Sequence, residues 1–406
     1  MLRAWKPAAS IICCAPSSLA CTSKASPSSS LSVFMVQRSK CASFMPSTWV
    51  FPGGLLDRSD VSPDWIDLLA ANSLDRVVKR SAKLPIYAKE NNNAEQNNPT
   101  RTTSSSSLRA EVALRLCALR ELYEECGLLV VLSSNDKNNN VNAENGDDDE
   151  NYENLFYGQP TAAKLRDFPP PAAVRAEPRR FLEWFRNNQQ RGTDKQTSRR
   201  WRPAVNLLVE WSNWLTPMAP SHRHRFDTVF YLLCLPEQFH DARPCENELQ
   251  DAAWLQTTET VKRAHRNELR LAPPQIYQMA ELAAFSRQKP GDLLRFAVNR
   301  AGHSRIARIC PHFVLCDDGA RVSLLNGDSA YETAADPVHT PPRVYNGTAE
   351  QFRAESQTLH RVEFPHADNW SNWRAFVDDP VAKAQSVAIN NNNNNMLGGR
   401  SRSPAL

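Results

Sequence analysis

The stretch Leu108–Leu129 constrains the fold most, because its apolar spacing is that of one long helix. With successive side chains roughly 100° apart, the apolar ones fall on one stripe: Val112, Leu116, Leu119, Tyr123 and Cys126. Glu121, Glu124 and Glu125 fall on the broad opposite sector. A chain organised around this helix has to bury the stripe and has to supply water or a cation for the carboxylates.

The crowded carboxylates of this helix favour a cation site. Glu121 and Glu125 are neighbours at i,i+4, and carboxylates this close repel one another unless a cation or water screens them. A hard divalent ion such as Mg²⁺ takes oxygen ligands and is commonly held by few carboxylates together with substrate phosphates. Arg120, at i,i+4 from Glu124, can hold that carboxylate in position. The alternative is a solvated acidic face, which is the commoner meaning of a Glu-rich helix taken alone.

Glycines stand on either side of the acidic segment. Gly127 allows the chain to leave the helix in a left-handed turn and to enter the strand-like segment Leu128–Leu132. Gly53 and Gly54, which follow Pro52, allow a tight turn and a close approach of the backbone to phosphate.

These segments together resemble a known family. Arg120–Leu128 matches every fixed position of R-E-U-x-E-E-x-G-U, with U aliphatic, which is the second half of the Nudix box, and Phe51–Gly54 resembles its opening. From Arg38 to the double glycine the sequence is similar to the coenzyme-A-type Nudix signature. Further segments resemble the acyl-coenzyme A diphosphatases called nucleoside diphosphate-linked moiety X motif 19: Asn213–Pro217, Arg225–Pro236 and Leu271–Tyr277. The likeness covers most of residues 5–335.

The resemblance implies a fold and a set of functional residues. The fold is the α/β/α Nudix sandwich with a mixed sheet, enlarged by disordered inserts and a C-terminal extension. Mg²⁺ or Mn²⁺ is expected on Glu121, Glu124 and Glu125, with Arg120 beside them. The general base is expected to be one of these glutamates or Glu248, which stands six residues before Trp254.

Three further residues are expected to bind the substrate. In the family the region of Arg38 faces the substrate, so a phosphate contact is one interpretation and an ordinary surface cation the other. Gly53 and Gly54 are the other candidates. The substrates implied are coenzyme A and acyl-coenzyme A, cut to 3′,5′-ADP and (acyl-)4′-phosphopantetheine. Alternatives are a Nudix hydrolase for another diphosphate, such as a dinucleotide or an RNA cap, and a catalytically silent Nudix domain that binds a ligand.

The sequence departs from the usual box in two ways. Residues 55–107 intervene between the glycine pair and Arg120, where the usual box has little more than one helix length. Glu111 stands one place before the position at which the general box has a glutamate, where this chain has Val112. Its role therefore stays open.

The domain organisation follows from the resemblance and from polar, low-complexity runs. A Nudix domain is expected over residues 5–335, with 55–107 as an insert in the box. Residues 89–107 and 133–154 are predicted to be disordered. Residues 336–389 form a C-terminal extension, and the Asn-rich tail 390–406 is predicted to be disordered.

Composition excludes several classes of protein. A net charge of +4 gives no electrostatic case for nucleic acid. No apolar run approaches the roughly 18 residues of a membrane span. Ten scattered cysteines without a C-x-x-C pair indicate reduced thiols in an intracellular protein. The resemblance favours peroxisome or mitochondrion, although Pro404, Ala405 and Leu406 lack the basic residue of a peroxisomal address.

Periodicity locates the remaining elements. The predicted strands and helices are Ala8–Ala15, Leu31–Arg38, Leu207–Leu215 and Phe226–Leu235 as strands, Pro63–Ala71, Pro178–Asn188, Thr258–Glu268 and Pro274–Arg287 as helices, and a strand hairpin within 305–331.

Overall fold

A computed structural model describes most of the chain. The described residues are 5–17, 31–42, 45–69, 71–96, 108–134, 155–160, 165, 167–190, 200–217, 225–245, 248–286, 288, 290–303, 306–332, 341–366 and 372–377. The predicted disorder at 97–107, 135–154 and 390–406 lies outside them, and the prediction is wrong for residues 133–134, which end a strand.

Within these residues the structure has sixteen strands and ten α-helices, in groups of strands and groups of helices along the chain. The strands are β1 (Lys6–Pro16), β2 (Leu31–Arg38), β3 (Trp49–Val50), β4 (Gly53–Leu55), β5 (Leu129–Ser134), β6 (Leu155–Gly158), β7 (Arg200–Pro203), β8 (Val209–Leu215), β9 (Phe226–Cys234), β10 (Leu249–Gln256), β11 (Arg308–Ile309), β12 (His312–Cys316), β13 (Arg321–Leu324), β14 (Arg343–Tyr345), β15 (Arg361–Phe364) and β16 (Arg374–Phe376). The helices are α1 (Asp64–Leu68), α2 (Ala71–Arg80), α3 (Pro85–Gln96), α4 (Ala110–Cys126), α5 (Pro171–Ala176), α6 (Arg179–Gln190), α7 (Thr257–His265), α8 (Pro273–Ala283), α9 (Pro290–Gly302) and α10 (Ala349–Glu355). A short 3₁₀ helix covers Val205–Leu207.

The main sheet has eight strands and is mixed, as predicted. Its order is β10-β2-β1-β9-β8-β11, with β3 beside β2 and β4 beside β1. β1 runs parallel to β9 from Lys6 to Cys14, and β11 runs parallel to β8. The other pairings are antiparallel.

Helices cover both faces of this sheet. Because strand side chains alternate between faces, Ile11 and Cys13 of β1 lie in one hydrophobic core with α4, while Ile12 and Cys14 lie in another with α8. The predicted α/β/α sandwich is therefore confirmed.

The glutamate-bearing helix α4 differs from its prediction. It ends at Gly127 with φ 70°, the predicted left-handed turn. Every residue of the helix except Glu121 is buried, however, so the alternative of a solvated acidic face is wrong. The described part of the insert packs with α4, because Trp65, Leu84 and Tyr87 belong to the same core as the helix.

The insert is also more ordered than its composition predicts. Disorder was expected from residue 89, yet α3 continues to Gln96, so the prediction is wrong for residues 89–96. The side-chain oxygen of Asn91 accepts a hydrogen bond from the backbone N–H of Ala110 at 2.8 Å, and its amide donates to Glu111 at 3.2 Å. One insert side chain therefore satisfies a donor at the start of α4.

We expect Asn91→Ala to lower the free energy of unfolding by about 1 kcal/mol, the usual cost of losing a capping side chain. Asn92→Ala is the matched control, because Asn92 is an exposed neighbour and both changes raise helix propensity equally. Urea denaturation of both variants measures the difference. Equal midpoints would show that the Asn91 contact adds no stability.

The C-terminal region is built into the domain that was predicted to end at residue 335. A second sheet has the order β14-β12-β13-β15-β16, so the predicted boundary at residue 335 falls inside one sheet. Leu325 and Phe364 share a core with α8. The hydroxyl of Tyr277 on α8 contacts His360 Nε2 at 2.5 Å, and Trp373 is fully buried against the domain. A three-stranded sheet, β6-β5-β7, follows α4.

Among the described helices, none combines the length and hydropathy required to cross a membrane.

Candidate active site

Two glutamates of α4 lie against the glycine turn at β4. The backbone N–H of Gly53 donates to Glu125 Oε2 at 3.1 Å. A Cβ built on Gly54 would lie 2.5 Å from Glu121 Oε1. The close approach predicted for the double glycine is therefore made to these two carboxylates. Strand β4 is fixed in turn by pairing with β1, where Ser10 lies opposite Gly53.

Burial and mutual repulsion make both carboxyl groups resist ionisation. Burial raises the pKa of Glu121 to about 7; the charges of Glu124 and Asp60 add to this, and Arg120 opposes it. Burial raises the pKa of Glu125 well above its ordinary value, and the charge of Glu121 acts in the same direction. A cation between the two would offset the repulsion.

Arg120 organises the carboxylates around it. Its Nε and Nη2 form a bidentate pair with Asp60 at 2.9 and 2.8 Å, and its Nη1 donates to Glu124 at 2.8 Å and to Glu121 at 2.9 Å. The predicted contact between Arg120 and Glu124 is confirmed. Its Nη2 also donates to the Leu55 carbonyl at 3.0 Å.

Asp60 is a site residue that sequence reasoning missed. It lies in the insert, is 1% exposed, and accepts a hydrogen bond from the backbone N–H of Asp57 at 2.9 Å. No periodic pattern distinguishes it from neighbouring acids. One signal was available, because a guanidinium has five donors and Glu124 alone cannot satisfy a buried one.

The donor set fits a divalent ion in part. Glu121 and Glu125 offer carboxylate oxygens side by side, while Arg120 pairs with one oxygen of Glu121 at 2.9 Å and with one oxygen of Glu124 at 2.8 Å. Among the described residues, no group of three or more His, Cys, Asp and Glu side chains is placed to hold a metal ion. Two carboxylates completed by substrate phosphates are nonetheless a usual arrangement for Mg²⁺.

Arg38 and Glu248 lie at the edge of the same site. The backbone N–H of Ser39 donates to the Glu248 carbonyl at 2.9 Å, which joins the end of β2 to the start of β10. The charge of Arg38 lowers the pKa of Glu125 and that of Glu248 raises it, so both side chains act on this carboxylate. The Glu248 side chain is exposed, and the structure brings both predicted residues to the rim of the site.

Glu111 lies elsewhere. It precedes Glu121 by ten residues, or roughly 15 Å along a helix. Burial opposes its ionisation, but hydrogen bonds from Arg109 and Asn91 lower its pKa overall. Glu111 therefore fixes the start of α4 and is not part of the carboxylate pair.

We expect Gly54→Ala to fold and to lower turnover by roughly 10- to 100-fold, since a misplaced catalytic group has effects of this size. The new Cβ would displace the flexible end of Glu121, not backbone atoms. Gly302→Ala is the control, because its Cβ would meet nothing within 4 Å. Thermal unfolding and turnover are measured for both variants. Wild-type turnover in Gly54→Ala would refute the claim that turnover depends on the position of Glu121 against Gly54.

Comparisons with known proteins show the family to which the chain is similar. The family model "NUDT19 Nudix domain" matches residues 5–282. The acyl-coenzyme A diphosphatase NUDT19 of Gallus gallus is 30% identical over 380 residues, covering 89% of this chain and 89% of that protein. The protein of the same name from Xenopus laevis is 28% identical, covering 89% and 90%, and that from Homo sapiens is 29% identical, covering 89% of each. The chain therefore belongs to the NUDT19 family of Nudix hydrolases and acts on a diphosphate bond.

Proposed function

We propose that this chain hydrolyses coenzyme A and acyl-coenzyme A to 3′,5′-ADP and (acyl-)4′-phosphopantetheine, using Mg²⁺ or Mn²⁺. The observation that carries the proposal is the paired placement of Glu121 and Glu125 against the Gly53–Gly54 turn. The relatives named acyl-coenzyme A diphosphatases support the substrate.

Each residue of the site has a distinct part in this proposal. Glu121 and Glu125 would hold the divalent ion, which when bound neutralises the diphosphate and activates the attacking water. Arg120 holds Glu124 and Asp60 in fixed positions, so the carboxylates around it are preorganised. The N–H of Gly53 orients Glu125.

Arg38 and Glu248, at the edge of the site, are the candidates for phosphate binding and for proton transfer. Arg38 is a candidate for one substrate phosphate, because a guanidinium fits phosphate oxygens in a bidentate manner. The general base is proposed to be Glu248 or one of the helix glutamates. Glu248 is exposed and its charge acts on Glu125, which suits a carboxylate that takes a proton from water and passes it to solvent.

Product analysis with acyl-coenzyme A and Mg²⁺ tests the proposal. Cleavage of the diphosphate leaves the thioester intact, so 3′,5′-ADP and acyl-4′-phosphopantetheine are expected by chromatography and mass. Omitting Mg²⁺ and adding a chelator is the control. Release of free fatty acid with intact coenzyme A would instead indicate a thioesterase and would overturn the proposal.

A further inference from the structure

A cavity of about 370 Å³ lies between the main sheet and the second sheet, β14-β12-β13-β15-β16. It is on the face of the main sheet opposite α4. Its walls are mostly aromatic and aliphatic: Trp214, Phe230, Phe313, Leu325, Val362 and Phe364. A volume in the range of roughly 300–1,000 Å³ with largely apolar walls is characteristic of small-molecule sites.

The alternation of side chains along β13 shows which face of its sheet borders the cavity. On β13 and the residue after it, Arg321, Ser323 and Leu325 line the cavity, while Val322 and Leu324 pack in a separate core. The side chains of a strand face one side of its sheet at every second residue. One face of β13 is thus packed and the other borders the cavity.

The cavity reaches the segment that precedes the Gly53–Gly54 turn. Met45 and Val50 contribute to its wall. Val50 stands three residues before Gly53, which is roughly 10 Å of extended chain. The next residue, Phe51, has its ring 6.2 Å from that of Phe230, another wall residue. The cavity and the carboxylate pair are thus joined through one short piece of backbone.

We propose that this cavity binds the acyl chain of acyl-coenzyme A, an inference that rests on the proposed function. Its walls offer an apolar chain mostly apolar contacts, and no lining residue in the described part of the chain is an Asp or Glu. The guanidinium of Arg321 lies 5.4 Å from the Phe313 ring centre and 5.2 Å from that of Phe364, and it closes one side of the cavity with aromatic contacts. At roughly 30 Å³ for a group the size of a water molecule, the cavity holds about a dozen such groups. An acyl chain of medium length therefore fits the cavity.

The acyl chain is remote from the bond that is cut, so its burial should lower KM and leave kcat nearly unchanged. Each buried methylene is expected to raise kcat/KM by roughly three- to fourfold until the cavity is full. The measurement is kcat and KM with Mg²⁺ for free coenzyme A and for a series of straight-chain acyl-coenzyme A thioesters.

Two matched variants localise the effect. Val362→Phe fills the cavity, while Val344→Phe makes the same change at a side chain 72% exposed on the same sheet. Val362→Phe is expected to remove the chain-length dependence and to keep the wild-type kcat/KM for free coenzyme A. Val344→Phe is expected to behave as wild type.

Phe313→Ala tests the same assignment by enlarging the cavity. If Val362→Phe misfolds and loses activity on all substrates, Phe313→Ala is the variant that tests the assignment. The preferred chain is expected to become longer in Phe313→Ala. Cleavage of free coenzyme A with no dependence on chain length, or an unchanged chain preference in folded Phe313→Ala, would overturn the cavity assignment alone. No cleavage of free coenzyme A by the wild type would overturn the proposed function instead.

Discussion

Glu121→Gln and Glu125→Gln are each expected to lower turnover about a thousandfold, or ~4 kcal/mol of transition-state stabilisation. Each change removes one of two carboxylates that would hold the divalent ion, while shape and nearly all helix propensity are kept. Both variants should fold, because burial already disfavours the charged forms and a neutral amide removes that cost. Weakened Mn²⁺ binding, measured by electron paramagnetic resonance, should accompany the loss.

Glu111→Gln is the matched control for these two variants. It makes the same change on the same helix, but at a glutamate held by Arg109 and Asn91. Turnover and Mn²⁺ binding should stay near wild type, while stability falls because a charged hydrogen-bonded pair is lost. Near-wild-type turnover in Glu121→Gln and Glu125→Gln would instead show that neither carboxylate holds a metal ion that the reaction needs.

Arg120→Ala should give the largest loss of stability, about 3–5 kcal/mol, because it leaves Asp60 and Glu124 buried without their cation. The Arg120 side chain is 2% exposed, and those of its partners Asp60 and Glu124 are 2% and 6% exposed. Water therefore cannot take the place of the guanidinium. Turnover should fall as well, since the positions of Glu124 and Glu121 depend on the same side chain. Denaturant unfolding followed by circular dichroism measures the effect.

Arg179→Ala provides the comparison for Arg120→Ala. Arg179 pairs with Glu183 at i,i+4 on α6, and its side chain is 62% exposed. An exposed pair of this kind contributes less than about 0.5 kcal/mol. If the two variants lost equal stability, the Arg120 network would have no special role in the fold.

The elements that could be predicted are those whose sequence pattern is local. β1, β2, β9 and α6 were found within one or two residues, because alternation and helical spacing are properties of one segment. The burial of α4 could not be read in this way, since a helical pattern does not say what covers the opposite face. Trp65 and Tyr87 share the core of α4 and come from a segment whose Asn- and Ser-rich end suggested disorder.

The same distinction holds for the site. Arg120, Glu121 and Glu125 belong to one short motif whose helical spacing fixes their relation in space, and the double glycine was assigned to the site through the family resemblance. Asp60 does not, because its pairing with Arg120 joins residues 60 apart in the chain. The predicted roles of Glu121, Glu124 and Glu125 as metal ligands stay predictions; in the structure Arg120 pairs with Glu121 and with Glu124.

A side-by-side comparison of substrates at fixed Mg²⁺ tests the central claim most directly. Coenzyme A, a medium-chain acyl-coenzyme A, a dinucleoside polyphosphate, ADP-ribose and a capped RNA are compared by kcat/KM, with Glu125→Gln as the blank. We expect the two coenzyme A forms to exceed the others by at least about a hundredfold, which corresponds to ~2.7 kcal/mol of discrimination. Efficient cleavage of another nucleoside diphosphate derivative, with no 3′,5′-ADP from either coenzyme A form, would contradict the account.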